Sequence, residues 1–167
     1  MDELFMLLNI GLSALLGFLI GLERKMRMKE AGIRTHTIVC IGSALLMIVS
    51  IYGFGTGADT SRVAAQIVSG VGFLGAGIIV YRQHEVKGLT TAAGIWTSAG
   101  VGMACGASMY ILAVGATLIL LAAQLISDLK FRHSIQRNPF PSTSNSVSKT
   151  EKTSLLRKFS VWTALII

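Results

Sequence analysis

Acidic side chains are scarce in this sequence. Only eight Asp and Glu occur in 167 residues, and charged residues of both signs together make up 14%. No Asp, Glu, Lys or Arg interrupts Leu4 to Leu22, Thr35 to Ile51, Val63 to Tyr81 or Leu89 to Ile126. With 52% hydrophobic residues and a mean hydropathy of +0.65, this composition argues against an ordinary soluble domain and for a membrane protein. The missing acids also narrow the function. Magnesium needs hard oxygen ligands, usually carboxylates, and no predicted span contains one. Cysteine is nearly absent as well. Cys40 falls near the inner end of the second span and Cys105 near the outer end of the fourth, so the spacing predicts no disulfide, and two cysteines make no metal site. His36, His84 and His133 lack ligand spacing, and no Ser, Thr or Cys is grouped with a His and an acid. Neither a P-loop nor a phosphorylation-type aspartate motif is present. The reading is therefore a non-enzyme, with no metal and no cofactor.

What is present is length without charge. The first three runs are each long enough to cross about 30 Å of hydrocarbon as a helix. The fourth would make a helix nearly twice too long at about 1.5 Å per residue, and it is broken at Cys105 to Ser108, giving five spans. The basic residues decide orientation. Arg24, Lys25, Arg27, Lys29 and Arg34 lie between spans one and two, Arg82 and Lys87 between three and four, and Lys130, Arg132 and Arg137 after five. The opposite segments hold Asp2, Glu3 and Asp59, with Arg62 as the lone base. The expected fold is an all-α polytopic membrane helix bundle of five transmembrane helices, N-terminus out and C-terminus in. Tyr52 and Tyr110 fall at the outer boundary and Tyr81 at the inner one. Asp2 and Glu3 stand where a signal peptide would carry a basic segment, so the first span reads as retained. The net charge of +7 lies mostly in predicted cytoplasmic loops and tail, where topology and anionic lipid account for it without nucleic acid.

Gly70, Gly72 and Gly75 spell G-x-G-x-x-G, the spacing of a dinucleotide-binding loop. That motif needs a strand before it, a helix after it and an acid about 20 residues on. None of that context is present, so the glycines call for a packing explanation. On a helix, Ala65, Ser69, Gly72 and Ala76 share one stripe, widened by Gly70 and Gly77, while Ile67, Val71, Leu74 and Ile78 share the opposite one. Membrane helices associate through small residues that let backbones approach. Span one repeats the device at Ser13, Gly17 and Gly21, one turn after Asn9, and span four at Thr90, Gly94, Ser98, Gly102 and Gly106. Spans one, three and four are expected to form the tight core. The sharper alternative is a helix break near Gly75, Ala76 and Gly77 that exposes backbone groups to an ion. The words Gly17–Gly21 then Gly32–Thr35, and Gly72–Gly77 then Gly88–Thr91, also suggest a parallel repeat of two hairpins.

Among polar residues, Glu23 at the end of span one is expected to pair with Arg34 or Arg24 and fix the loop. The bland alternative is that these charges only anchor helix ends. Gln66 is the strongest polar residue within span three and is expected to hydrogen-bond a neighbouring helix. Trp96, deep in span four, needs an acceptor inside the bundle for its indole N–H. A transmembrane domain over 1–128 then gives way to a cytoplasmic tail over 129–167. Its stretch 138–154 is rich in Ser and Thr, holds both prolines and reads as linker. Leu155, Leu156, Phe159, Trp162 and Ile166 beside Arg157 and Lys158 suit either a short basic amphipathic helix on the inner leaflet or an ending with no evolved role.

The blocks "GFLIGLERKMRMKEAGIRTHTIV", "AAQIVSGVGFLGAGII" and "GLTTAAGIWTSAGVG", in this order, resemble the MgtC/SapB family of bacterial inner-membrane proteins over about residues 4 to 126. The family's ER…AG-x-RT block falls on Glu23, Arg24, Ala31, Gly32, Arg34 and Thr35. Its SG-x-GFLGAG block falls on Ser69, Gly70, Gly72 to Gly77, and its GLTTAA…W block on Gly88, Leu89, Thr90, Thr91, Ala92, Ala93 and Trp96. The resemblance implies five membrane helices, a link to low-magnesium adaptation and virulence, and restraint of the F-type ATP synthase through membrane contacts. Longer members carry a folded cytoplasmic C-terminal domain where this sequence has its serine-rich tail. The expected function is a non-enzymatic membrane regulator that docks on another complex, with self-association as a further expectation. The alternative is a magnesium or proton transporter or channel.

Overall fold

The computed structural model describes residues 3–137 apart from 56, 58, 83 and 84, with side chains as far as 126 except at 82. The expectations for the tail at 138–167, for Asp2 and His84, and for the side chains of Lys130, Arg132, His133 and Arg137 lie outside the described residues. Five helices run in the order α1 (Glu3–Met26), α2 (Ile33–Tyr52), α3 (Ser61–Ala76), α4 (Leu89–Gly106) and α5 (Tyr110–Arg137). A two-stranded hairpin, β1 (Val80–Arg82) and β2 (Glu85–Lys87), joins α3 to α4. The chain divides into two compact units at 126/127, and the helix packing lies within the first. Two helices, α1 and α2, are long and apolar enough to cross a membrane, and Tyr110–Ile126 is a shorter apolar helix.

Local chemistry sets the helix ends. α1 has Glu3 in its first turn and Arg24 and Lys25 in its last, each sign facing the opposite end of the helix dipole. Before α3, Asp59 accepts hydrogen bonds on Oδ1 from the Ser61 hydroxyl at 2.5 Å and the Ser61 amide at 3.0 Å. These bonds, the hydroxyl first, hold its carboxyl below the usual carboxylate range. Ser50 donates to the Thr60 carbonyl and accepts from the Ala64 amide, fastening the end of α2 to the start of α3.

The third span does not stay helical to Tyr81. α3 stops at Ala76, and the amides of Gly77, Ile78 and Ile79 turn back onto the carbonyls of Phe73, Gly75 and Ala76 at 3.1 to 3.2 Å. A break therefore falls where the glycine cluster suggested it, but these carbonyls are already engaged. Antiparallel pairing then sets Val80 against Lys87, Tyr81 against Val86 and Arg82 against Glu85. Gly88 closes the hairpin at φ 91°, with the Ile78 carbonyl lying where a Cβ would project. Only glycine suits both conditions.

Packing corrects the predicted core. The most extensive contacts are those of α2 with α1 and with α4, so α2 takes the central place expected for α3. A Cβ at Gly17 would lie 2.8 Å from the His36 carbonyl, and one at Gly21 would lie 2.5 Å from the Ile33 backbone. On the other side of α2, Gly102 abuts the Cys40 carbonyl, and a Cβ at Gly106 would meet the Ala44 carbonyl at 2.5 Å. Leu16, Ile20, Cys40, Val101, Cys105 and Ala113 fill one buried cluster, while Ala31, Ile67, Val71, Ile95 and Ala99 fill a second. Cys40 and Cys105 are thus neighbours in one cluster and both free, contrary to the separation in depth expected from sequence. Asn9 ties the far end together, donating to Ser108 Oγ at 3.1 Å and accepting from the Tyr110 hydroxyl at 2.8 Å.

α3 is turned the opposite way from the expectation. Ile67, Val71 and Gly75 are its buried residues, whereas Ala65, Ser69, Gly70, Gly72 and Ala76 are exposed, and nothing lies within 4 Å of a Cβ at Gly70 or Gly72. Of the bulky stripe Ile67 and Val71 pack while Leu74 stays exposed, and of the small residues Gly75 alone is buried. The proposed repeat pairs behave differently: Gly17 is tightly packed while Gly72 is open, whereas Gly32 and Gly88 both stand at helix starts. Replacing Gly102 with Leu is expected to cost about 3 kcal/mol or more, beyond ordinary overpacking because it meets backbone, while Gly72→Leu should leave unfolding in detergent within about 0.5 kcal/mol of the wild type.

Candidate functional site

The residues singled out by sequence gather at the end of the bundle that carries the α1–α2 loop and the hairpin. Arg24, in the last turn of α1, is 4% exposed and donates from Nη2 to Thr91 Oγ1 at 3.2 Å, while its Nε has no partner. Thr91 belongs to the first turn of α4. One turn further along the same face comes Gly94, whose bare Cα lets two side chains in. A Cβ there would lie 3.5 Å from His36 Nε2 and 3.8 Å from Gln124 Nε2. His36 itself is 0% exposed. Its amide and its Nδ1 both approach the Gly32 carbonyl, at 3.2 and 3.1 Å. A carbonyl only accepts, so Nδ1 carries the ring proton, leaving Nε2 a bare acceptor with no partner. Gln124 Oε1 is also buried without one.

Glu23 completes the layer, and its partner is neither Arg34 nor Arg24. Its Oε1 is held by the Arg27 guanidinium one turn on, the pairing that helix geometry favours at i, i+4. Arg34 is exposed and Thr35 half-buried. Among the described residues Glu23 is the one buried acid, and Oε2 of its carboxylate has no hydrogen-bond partner. The buried guanidinium of Arg24 thus bonds to Thr91, while the carboxylate of the preceding residue serves Arg27.

Other expected residues stand apart from this layer. Thr90 is exposed, and its neighbour Thr91 is the one turned inward. Gly75 packs against Ala92 at 3.5 Å, and Gly77 ends α3. Gln66 makes no hydrogen bond to a neighbouring helix. It lines an apolar groove of about 470 Å³ between α2 and α3, with Ile38, Gly42, Leu46 and Gly70 among its walls. Trp96 is 53% exposed, so its indole faces outward and not into the bundle. Sequence reasoning missed Arg27, His36 and Gln124. For Arg27 the signal was present in the i, i+4 spacing from Glu23, whereas His36 Nε2 and the Gln124 carboxamide meet over Gly94, which the sequence does not show.

Apolar helices sewn together at glycines, with a buried arginine layer at one end, define a small helical membrane protein. The chain belongs to the MgtC family, whose model matches residues 10–130. It is 50% identical over 121 residues to YhiD of Escherichia coli K12, whose name proposes a magnesium transporter, covering 68% of this chain and 56% of that protein. It is 46% identical over 121 residues to protein MgtC of Salmonella typhimurium LT2, covering 72% and 51%. It is also 46% identical over 134 residues to protein MgtC of Brucella abortus 2308, covering 77% and 56%. The chain thus spans about half the length of the curated relatives it matches. No solved structure matches it. In a double-mutant cycle read by detergent unfolding, Glu23 and Arg27 should couple by about 0.5–3 kcal/mol, and Glu23 and Arg34 by less than about 0.5.

Proposed function

We propose that this protein is a non-enzymatic regulator of the bacterial inner membrane that acts by laying α3 against a helix of another membrane complex. The observation that carries this reading is the outward face of α3, where Ala65, Ser69, Gly70, Gly72 and Ala76 are exposed with open space at both glycines. In hydrocarbon such a face gains little from lipid and much from the close approach of a second backbone. The F-type ATP synthase, the partner that the family resemblance suggests, is built partly of membrane helices and offers surfaces of this kind. The name of YhiD supports a second reading, magnesium transport. It is disfavoured by the sign of the buried layer, because Glu23 is held by Arg27 and a second arginine, Arg24, is buried at the same end of α1. A divalent cation would meet more positive than negative charge there.

The topology that goes with this function is five crossings, with α1 entering from outside and both the arginine layer and the hairpin at the cytoplasmic face. An impermeant thiol reagent applied outside should label Asp59→Cys and spare Lys25→Cys. The reverse pattern would overturn the orientation. In sealed liposomes the wild type should lower ATP-driven proton pumping by co-reconstituted F-type ATP synthase, and Gly72→Leu should lose most of that effect while remaining folded. Protein-dependent magnesium flux, or full activity of Gly72→Leu, would remove the reading.

A further inference from the structure

The arginine layer is built like a receptor for something that the described residues do not provide. Arg24 reaches across from α1 to the first turn of α4, and His36 occupies the first turn of α2. Both of those helices begin at a glycine, Gly32 and Gly88, with no side-chain cap and no acid in the first turn. Each such N-terminus carries roughly half a positive charge, opposed by roughly half a negative one at the C-terminus of α1 and by Glu23, which Arg27 already holds. A buried guanidinium is thus set between two uncapped helix starts, and its one described partner is a neutral hydroxyl. Burying a charge in this way is costly unless an opposite charge accompanies it.

The unpaired atoms say which kind. Arg24 Nε–H, together with a neighbouring terminal N–H, is the edge of the guanidinium that grips two oxygens of a carboxylate or phosphate. His36 Nε2, by contrast, is an acceptor and needs a donor. A carboxylate offers only acceptors at neutral pH, whereas a phosphate that retains a proton, or one whose ester carries hydroxyls, offers both. The carboxamide of Gln124, converging on Gly94 beside His36, can serve either role. The exposed Lys25 and Lys29 lie in the adjoining chain and raise the local concentration of anions.

We propose that Arg24, His36, Thr91 and Gln124 form a binding site for a phosphate oxyanion, supplied either as free phosphate or as the headgroup of an anionic phospholipid. Glu23 stays with Arg27 and keeps the layer from accepting more than one such charge. The site is independent of the docking face on α3 and stands or falls separately from it.

The full chain in nanodiscs tests this in two arms. In phosphatidylcholine discs, equilibrium dialysis of radiolabelled inorganic phosphate should show saturable uptake. In phosphatidylglycerol discs, native mass spectrometry after mild delipidation should show one retained phospholipid. At least one of these signals should appear, fall tenfold or more in Arg24→Gln and persist in Arg34→Gln. Uptake only from solution names free phosphate as the source, and retention only of phosphatidylglycerol names the lipid. Absence of any Arg24-dependent binding in both arms overturns the proposal. Should Arg24→Gln fail to fold, the wild type alone decides. Its His36 Nε2 resonance, assigned by comparison with His36→Gln, should move with phosphate or phosphatidylglycerol and not with chloride. A resonance that stays in place overturns the proposal.

Discussion

In a bilayer, apolar helices gain no hydrophobic reward for leaving lipid and entering a protein interior, so their association rests on how closely their backbones can approach. In this protein that approach is set on α2. The carbonyls of His36, Cys40 and Ala44 lie against Gly17, Gly102 and Gly106, and a side-chain carbon at any of the three glycines would collide with backbone or nearby Cβ atoms. The rest of the bundle depends on that contact. It brings the last turn of α1 to the first turn of α4, so Arg24 can reach Thr91, and it brings Asn9 to Ser108 and Tyr110 at the far end. Two polar layers therefore close the bundle, each made of side chains that only the glycine seams place within reach.

The two ends differ in kind. Asn9 is satisfied by neutral partners that belong to the chain, and such a layer fixes register between α1, α4 and α5. The layer at the other end holds two arginines, one carboxylate and an imidazole with a bare nitrogen, largely withdrawn from solvent. Unbalanced buried charge of this sort disfavours a closed, self-sufficient structure. The layer at the far end carries no such unbalanced charge.

The helices are legible in the sequence because charge-free runs and basic loops are direct consequences of membrane physics, and the order of five helices follows from them. Legibility ends where a pattern has two solutions. Ile78 to Tyr81 is as apolar as the helix before it, so the stop at Ala76 is visible only through the turn bonds of Gly77 to Ile79. The small stripe of α3 reads as inward because small stripes mark contacts, but they do not say whether the contact is within one chain. Pairing Glu23 with Arg34 gives weight to the returning loop over the nearer Arg27. Trp96 and His36 exchange their expected roles for one reason: the sequence shows depth along a helix, but not rotation about its axis. Rotation depends on where neighbouring glycines leave room.

The uneven distribution of these seams has a mechanical consequence. α3 meets the rest of the bundle through Ile67, Val71 and Gly75 and through the Ser50 bonds at its start, and among the described residues no carbonyl is driven against its glycines as in the α2 contacts. It is also flanked by non-helical residues on both sides, 53–55, 57, 59 and 60 before it and the turn at 77–79 after it. The strength of a contact and the freedom of the element that makes it thus vary in opposite directions along this chain. Displacing α3 would therefore give up fewer close backbone contacts than parting α1, α2 and α4, whose glycines meet carbonyls directly.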